Sequence, residues 1–384
     1  MNRRMPGATL AALLLTAAFA PATHALEMAV FEPGGTTRRV TLDVAAAPAA
    51  PAAAPRLTVF AQGGGDAHRS VAVPLAAVDR AFQSPTAEPE RPTPAGRGRH
   101  TLAVELRRDD LDWRIAPRDG EPNILSELSW RAVDSVGLRW DGEFPLAGGW
   151  GLEAGLALAG SVTGEARDSD YEFDDRQGEY SRSRIESDGS TFFDLHLGGL
   201  YRLGAMDARR PSVALRAGLA LHNQSLRLGR AEQQLARPGF GAPPVGTTFD
   251  TRSSYKARWL GPYVGLGFEA PLGPRMDFSA DYRFERLRMK GRGNWALREE
   301  FAHPDSFVHT AWGRVHALDV ALGYRLDSGG RLELGAHHVD GKTARGTDDT
   351  RWASDGGVGL GSAIDLVDLR WRASAVRLGY SLPF

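Results

Sequence analysis

Residues 375–384 read Ala375-Val-Arg-Leu-Gly-Tyr-Ser-Leu-Pro-Phe384. Val376, Leu378, Tyr380, Leu382 and Phe384 share one parity and are apolar. Ala375, Arg377, Gly379, Ser381 and Pro383 share the other and are small or polar. A two-residue period is that of a strand, whose successive side chains point to opposite faces. One apolar face and one small or polar face suit a barrel wall between lipid and lumen. They also suit the last strand of a soluble sheet. Pro383 stands at the end of the stretch, where a ladder hydrogen bond is least missed.

Nine upstream stretches decide between these readings. Apolar residues alternate with small or charged ones at Leu102–Leu106, Val136–Trp140, Trp150–Leu158, Phe193–Leu197 and Val213–Leu221, and again at Val264–Phe268, Met276–Phe284, Leu318–Leu326 and Leu332–Ala336. Their connections alternate in length. Short turns fall at Pro145–Gly149, Gly204–Arg210, Pro271–Pro274 and Asp327–Gly330, and long polar stretches at about 114–125, 161–190, 229–254, 290–314 and 342–365. Short and long in strict turn is the pattern of an outer-membrane barrel, with tight periplasmic turns and long external loops. A soluble sandwich has no reason to sort its loops by length. The fold expected over 99–384 is therefore all-β, a ten-stranded antiparallel up-and-down transmembrane β-barrel. Its first strand runs outward, its last runs inward, and both ends lie in the periplasm.

The remaining sequence fits a bacterial outer-membrane location. Asn2-Arg3-Arg4, the apolar run Ala8–Ala20 and Thr23-His24-Ala25 read as a signal peptide, 1–25, cut after Ala25. Residues 26–98 carry an Ala/Pro tract at Ala45–Pro55 and a Pro-rich tract at Pro85–Pro94, which read as an extended periplasmic arm. Between them, Leu57–Phe60 and Val71–Phe82 suit a small strand-and-helix element. Hydrophobic residues are 42% of the 384, a low average that a polar lumen explains. A net charge of -1 gives no field for nucleic acid, and the lack of cysteine excludes thiol chemistry and thiolate metal sites.

Ten strands enclose a narrow space, since about eight are filled by side chains and open channels need roughly sixteen. The inward parity carries Glu105, Arg107, Glu153, Arg216, Glu269, Asp281, Arg283, Asp319, Arg325 and Glu333. Unpaired, these would be costly, so a paired and largely plugged interior is expected. Chemistry would have to sit in the long loops. Asp168 and Asp170, two apart, project the same way if the third strand continues there. Such a pair can share a proton and hold a water, bind a cation through oxygen, or stand as a solvated acidic loop. The fourth loop, Asn294–His309, brings Glu299, Glu300, His303 and His309, with Trp295 and Phe301 as candidate interfacial anchors.

Asp168-Ser-Asp170-Tyr171, together with Tyr255-Lys-x-Arg258 leading to Pro262-Tyr-Val-Gly-Leu266, resembles the omptin family of outer-membrane endopeptidases over about residues 100–384. The phrases Asn294-Trp-x-Leu-Arg298 and Phe301-Ala-His-Pro304 resemble the related Protochlamydia outer membrane protein family, which includes porin-like members. The omptin resemblance implies that an Asp pair and an Asp-His pair face each other across the mouth and activate a water. Asp168 and Asp170 match the first pair. Glu300 and His303 are the nearest counterparts of the second, at a different spacing. It also implies lipopolysaccharide as an activating lipid. The C-terminal Phe384 is implied as the signal to the barrel-assembly machinery. The leading expectation is a monomeric, non-enzymatic surface or narrow-pore barrel embedded in outer-membrane lipid, without nucleic acid. The alternative is a surface endopeptidase that cleaves near basic residues.

Overall fold

The computed structural model describes the backbone and side chains of residues 98–203, 211–353 and 364–382, and the backbone of short strand segments elsewhere. The chain divides into two units, Met1–Thr93 with Arg325–Arg331, and Pro94–Tyr324 with Leu332–Phe384. In the first unit Ala12–Leu15, Ala25–Phe31 and Thr37–Asp43 form an antiparallel sheet, and Arg56–Gln62 pairs with His68–Pro74. The strand expected at Leu57–Phe60 is thus present. The helix expected over Val71–Phe82 does not begin there: Val71–Pro74 is strand, as suits its β-branched Val71 and Val73. The rest of that stretch and most of the arm, like the turn 204–210 and Phe384, lie outside the described residues.

The second unit is nearly all strand. Its elements are β1 (Arg99–Pro117), β2 (Ser126–Pro145), β3 (Trp150–Phe173), β4 (Gln177–Glu186), β5 (Thr191–Leu203) and β6 (Ser212–Ala236), followed by β7 (Thr248–Pro271), β8 (Met276–Asn294), β9 (Phe307–Arg325), β10 (Arg331–Thr343), β11 (Gly346–Trp352) and β12 (Ile364–Pro383). Neighbours in sequence pair antiparallel around the sheet. The ring closes where β12 meets β1, from Ile364 opposite Pro117 to Pro383 opposite Arg99. Both β4 and β5 lie between β3 and β6, and both β10 and β11 lie between β9 and β12. Each pair is therefore one broken stave, and the twelve strands make the ten staves read from the sequence.

The strands are longer than expected. The third, fifth, sixth and seventh staves run on to Phe173, Ala236, Thr248 and Asn294, so much of the stretches read as long loops is wall. The physical reason is a change of phase. Near the short turns the outward residues are apolar and the inward ones charged: Leu102, Val104 and Leu106 are exposed while Glu105 and Arg107 are 2% exposed. Further along β1 the parity of the apolar residues reverses. Leu111 and Trp113 point inward and are buried, and the outward places go to Arg108, Asp110, Asp112 and Arg114. In β8 the same exchange falls after Phe284, with Leu287 and Met289 inside and Arg286, Arg288 and Lys290 outside. The lower wall faces lipid, and the upper wall is built like a soluble barrel around its own apolar core.

Charges fill the lower lumen. Asp319 lies 2.6 Å from Arg377, 3.0 Å from His337 and 3.8 Å from Arg139. Towards the turns, Arg216 reaches Glu143 and Asp281, each at 2.8 Å, and is paired with Glu153. Above, Arg107 pairs with Asp109 at 2.6 Å and with Asp194, while His222 bridges Asp194 and Glu285 at 2.8 Å each. The expected pairing is seen along the lumen, while Glu105 and Arg283 each keep a buried polar atom without a hydrogen-bond partner among the described residues, and Arg325 is exposed at its strand end.

An apolar layer caps this network. Trp113, Trp130, Trp259, Trp371, Tyr255, Leu287 and Met289 belong to one buried cluster. Trp371 joins the layers by donating its indole N–H to Asp109 at 2.9 Å. Gly291 and Gly313 make room for it: a Cβ at either would meet the Tyr255 hydroxyl at 2.0 Å or the Trp259 ring at 2.5 Å.

Replacing Asp319 by Leu removes the carboxylate that Arg377, His337 and Arg139 share in the lumen and is expected to cost about 3–5 kcal/mol. Adding Arg377→Met should recover part of that loss. Urea unfolding in liposomes measures both, and two independent, additive losses would contradict a shared network.

Candidate functional site

The wall above the lipid-facing belt ends in a mouth formed by β3, β4 and the connections around them. In β3 the inward parity runs through the buried Ala166 to Asp168 and Asp170. Both carboxylates are half-buried. Asp168 stands opposite Leu128 on one side and Ser183 on the other, and Asp170 opposite Ser126 and Ser181. The strand continuation that the two-residue spacing required is therefore present.

Local bonds hold this hairpin in place. The turn Asp174–Arg176 joins β3 to β4. Asn123, in the connection before β2, donates its backbone N–H to Asp174 at 2.7 Å and its side-chain amide to Asp175 at 2.9 Å. Arg176 grips Glu127 at 2.9 Å, and Tyr171 donates to the same carboxylate at 3.0 Å. Neighbouring connections are thus tied together around the pair.

The electrostatics follow from burial and proximity. Loss of solvent and then the neighbouring Asp170 push Asp168 well above the usual carboxylate range, with Arg298 opposing. Asp170 is also raised by burial and, more weakly, by Glu179; a hydrogen bond from Ser126 and the charge of Arg298 oppose the rise. Beside them the Tyr180 phenol is pushed up to about 12 by burial and by Asp170. Two carboxylates so placed favour a state that holds one proton between them.

The charge that reaches the pair from the fourth loop is Arg298. Its loop is pinned at several points: Ser306 accepts from the Trp295 N–H at 2.9 Å, Ser253 accepts from the Ala296 N–H at 3.0 Å, and Ala302 donates to Arg351 at 2.9 Å. Arg298 itself lies over the Phe301 ring, 5.6 Å from its centre, and Phe301 packs on Trp352. Phe301, read as an interfacial anchor, is thus part of the loop's own packing. Glu300 is exposed, and its backbone carbonyl accepts from Ala353. His303 is exposed and bonded to Asn294 at 2.8 Å. The structure thus brings Asp168 and Asp170 together under the charge of Arg298, while Glu300 and His303 are exposed on the same loop.

A second group was not singled out by the sequence. His309 is fully buried and lies between the Tyr255 hydroxyl at 2.9 Å and Asp348 at 3.2 Å. The rings of Trp113 and Phe307 pack on it at 5.0 and 5.2 Å. Strand pairing sets this alignment, since Gly291 is opposite His309 and Asp348 lies across from His309 on the other flank. The sequence places His309 in the fourth loop and Tyr255 in a family-like phrase, with nothing to join the two or to add Asp348. The partners of His309 are 54 and 39 residues away.

Comparison with known proteins agrees with this architecture. By structure the chain is similar to the outer membrane protease OmpT of Escherichia coli, with a TM-score of 0.59 at 11% identity, covering 77% of this chain and 99% of that one. At that identity the likeness is one of fold. A FadL homologue of Pseudomonas aeruginosa aligns with a TM-score of 0.27 at 11% identity, over 75% of this chain and 90% of that one. Among curated proteins there is no match to the sequence. The family model that matches describes Protochlamydia outer membrane protein and spans residues 101–384. The chain is therefore a bacterial outer-membrane β-barrel and belongs to the Protochlamydia outer membrane protein family.

Proposed function

We propose that this protein is a sealed, monomeric surface barrel that binds partners at its mouth and conducts no solute. The observation that carries this reading is the double filling of the lumen, by ion pairs below and by a buried aromatic layer above. A solute would have to break both. In this reading the mouth lies outside the cell, both chain ends lie in the periplasm, and Phe384 is the signal to the assembly machinery. Arg298 is held by a ring and by the charge of Asp168 and Asp170. A basic side chain of a partner can take its place there, so the ligand class is a cationic peptide.

Lipopolysaccharide belongs to the same reading. On the outer wall just beyond the apolar belt, Lys256 stands opposite Arg292, Arg258 opposite Lys290, and Arg286 opposite Arg314. Like charges directly across a ladder destabilise it unless an anion lies between them. Phosphates of a lipid headgroup are at the right height to do so.

A second reading is the endopeptidase, with Asp168, Asp170, Glu300 and His303 around a water. It is favoured by the raised carboxylate pair, which can hold a water and take up its proton.

Three measurements test these proposals. In planar bilayers the refolded barrel should show no stable conductance step; a wide, steady current from the monomer would refute the sealed barrel. A dibasic fluorogenic peptide, offered with lipopolysaccharide present, should bind uncleaved, and Asp168→Asn should weaken binding about tenfold, the loss of one charged contact. Cleavage abolished by both Asp168→Ala and His303→Ala would instead establish the enzyme. The pair also sets a pH dependence. Because both carboxylates hold protons more tightly folded than unfolded, the stability their protonation lends is full below the unfolded range near 4 and is lost as pH rises through the folded range. Asp168→Asn should therefore unfold in more urea than the parent at pH 7 and in equal urea at about pH 3. A gain of the same size at both pH values would exclude the shared proton.

A further inference from the structure

The outer wall of β12, β1, β2 and β3 carries a hollow of about 360 Å³ beyond the apolar belt, on staves other than the β7–β9 wall assigned above to lipid. A sheet's outer surface is ordinarily continuous. Here the ladder is disturbed on both sides of β2: register shifts fall between Asp109 and Leu111 opposite β2, and between Arg131 and Asp134 opposite β3. Ala132 takes a φ of +50°, a left-handed backbone that a residue with a Cβ rarely adopts. The bulge is pinned, with the Ala132 N–H donated to Asp110 at 2.8 Å and Arg108 gripping Asp134 at 2.6 Å. Bulges of this kind re-aim side chains and cluster at functional sites.

What the bulge aims is arginine. The hollow is lined by Arg114, Arg131, Arg167, Arg176, Arg370 and Arg372, against three carboxylates. Those carboxylates are already engaged: Asp112 by Arg131 at 3.0 Å, Glu127 by Arg176 at 2.9 Å, and Glu165 by Arg184 at 2.6 Å. Arg114 and Arg370 share Asp368. Arg167 and Arg372 are exposed and, among the described residues, have no ion-pair partner. They face the hollow from opposite sides, since Arg372 is opposite Asp110 in β1, and Arg167 is opposite Ser129 in β2. Guanidinium groups converging on one polar concavity match the geometry of a phosphate. The volume is in the range of small-ligand sites.

We infer that this hollow is a binding site for a phosphate-bearing ligand, held by Arg167 and Arg372 from its two sides and framed by the β2 bulge. The lining is almost wholly charged, with Ala166 and Ser129 as its uncharged members, so the ligand is hydrophilic there. A phosphorylated lipid headgroup and a soluble diphosphate would present the same chemistry.

Inorganic pyrophosphate, titrated calorimetrically into the full-length barrel in maltoside micelles, tests the soluble source. A phosphate-bearing glycolipid in nanodiscs tests the headgroup. Both side chains point into solvent, so Arg167→Gln and Arg372→Gln should leave the barrel folded, as judged by its heat-modifiable migration. Each should weaken binding about tenfold, whereas Arg230→Gln, at an exposed position of β6 away from both walls, should leave the site intact. Arginine-dependent binding of free pyrophosphate supports the site with a soluble ligand. Arginine-dependent binding seen only with the glycolipid supports it with a headgroup. No binding in either arm, or binding indifferent to Arg167 and Arg372, overturns it.

Discussion

A wall that touches lipid can keep its charges only on the inside, and a wall that touches water can keep its apolar residues only there. The strands of this barrel cross that boundary without a break, so each must exchange its two faces on the way. In β7 the outward row passes from Val264 and Leu260 to Arg258 and Lys256, while the inward row passes from Gly265 and Tyr263 to Trp259, Ala257 and Tyr255. Most else in the structure follows from that exchange. Below it the lumen must be an ion network, because the lipid face has taken the apolar residues. Above it the lumen must be an apolar core, because the outside has taken the charges.

The same exchange explains which parts were legible in the sequence. The belt was easy to read, because alternation with apolar residues on one parity is the strongest strand signal. Ten staves, their short turns and the set of charges that fill the lumen follow from it. Beyond the belt the period of two persists, but its apolar members shift parity. Phe284, Leu287 and Met289 are spaced by three and then by two. A reader who follows one parity meets Arg286, Arg288 and Lys290 and ends the strand there. The stretch from 290 to 314 therefore reads as loop although β8 continues to Asn294 and β9 begins at Phe307.

The candidate site divides in the same way. Asp168 and Asp170 were legible because a local spacing puts them on one face of one strand. Arg298 was not, because a loop residue's position depends on contacts to Ser253 and Arg351, remote in sequence. The Tyr255–His309–Asp348 group was hidden for a related reason: three staves contribute to it, and their register is set by the ring as a whole. Strand periodicity tells which face a residue takes, and ring closure tells whom it meets there.

The two layers also differ in how they tolerate change, which bears on where function can reside. In the lower lumen, Asp319 serves several cations at once, so substitution there propagates through the network. In the upper layer, Trp259 and Trp371 pack with ring centres 6.1 Å apart and leave no room for a side chain at Gly313. Neither layer can accept a ligand without losing its own packing. The surfaces free to vary are those outside both layers: the rim that carries Asp168 and Arg298, and the charged outer wall. With its interior committed to packing, the barrel has the rim and the wall above the lipid as the surfaces where residues can change without disturbing either layer.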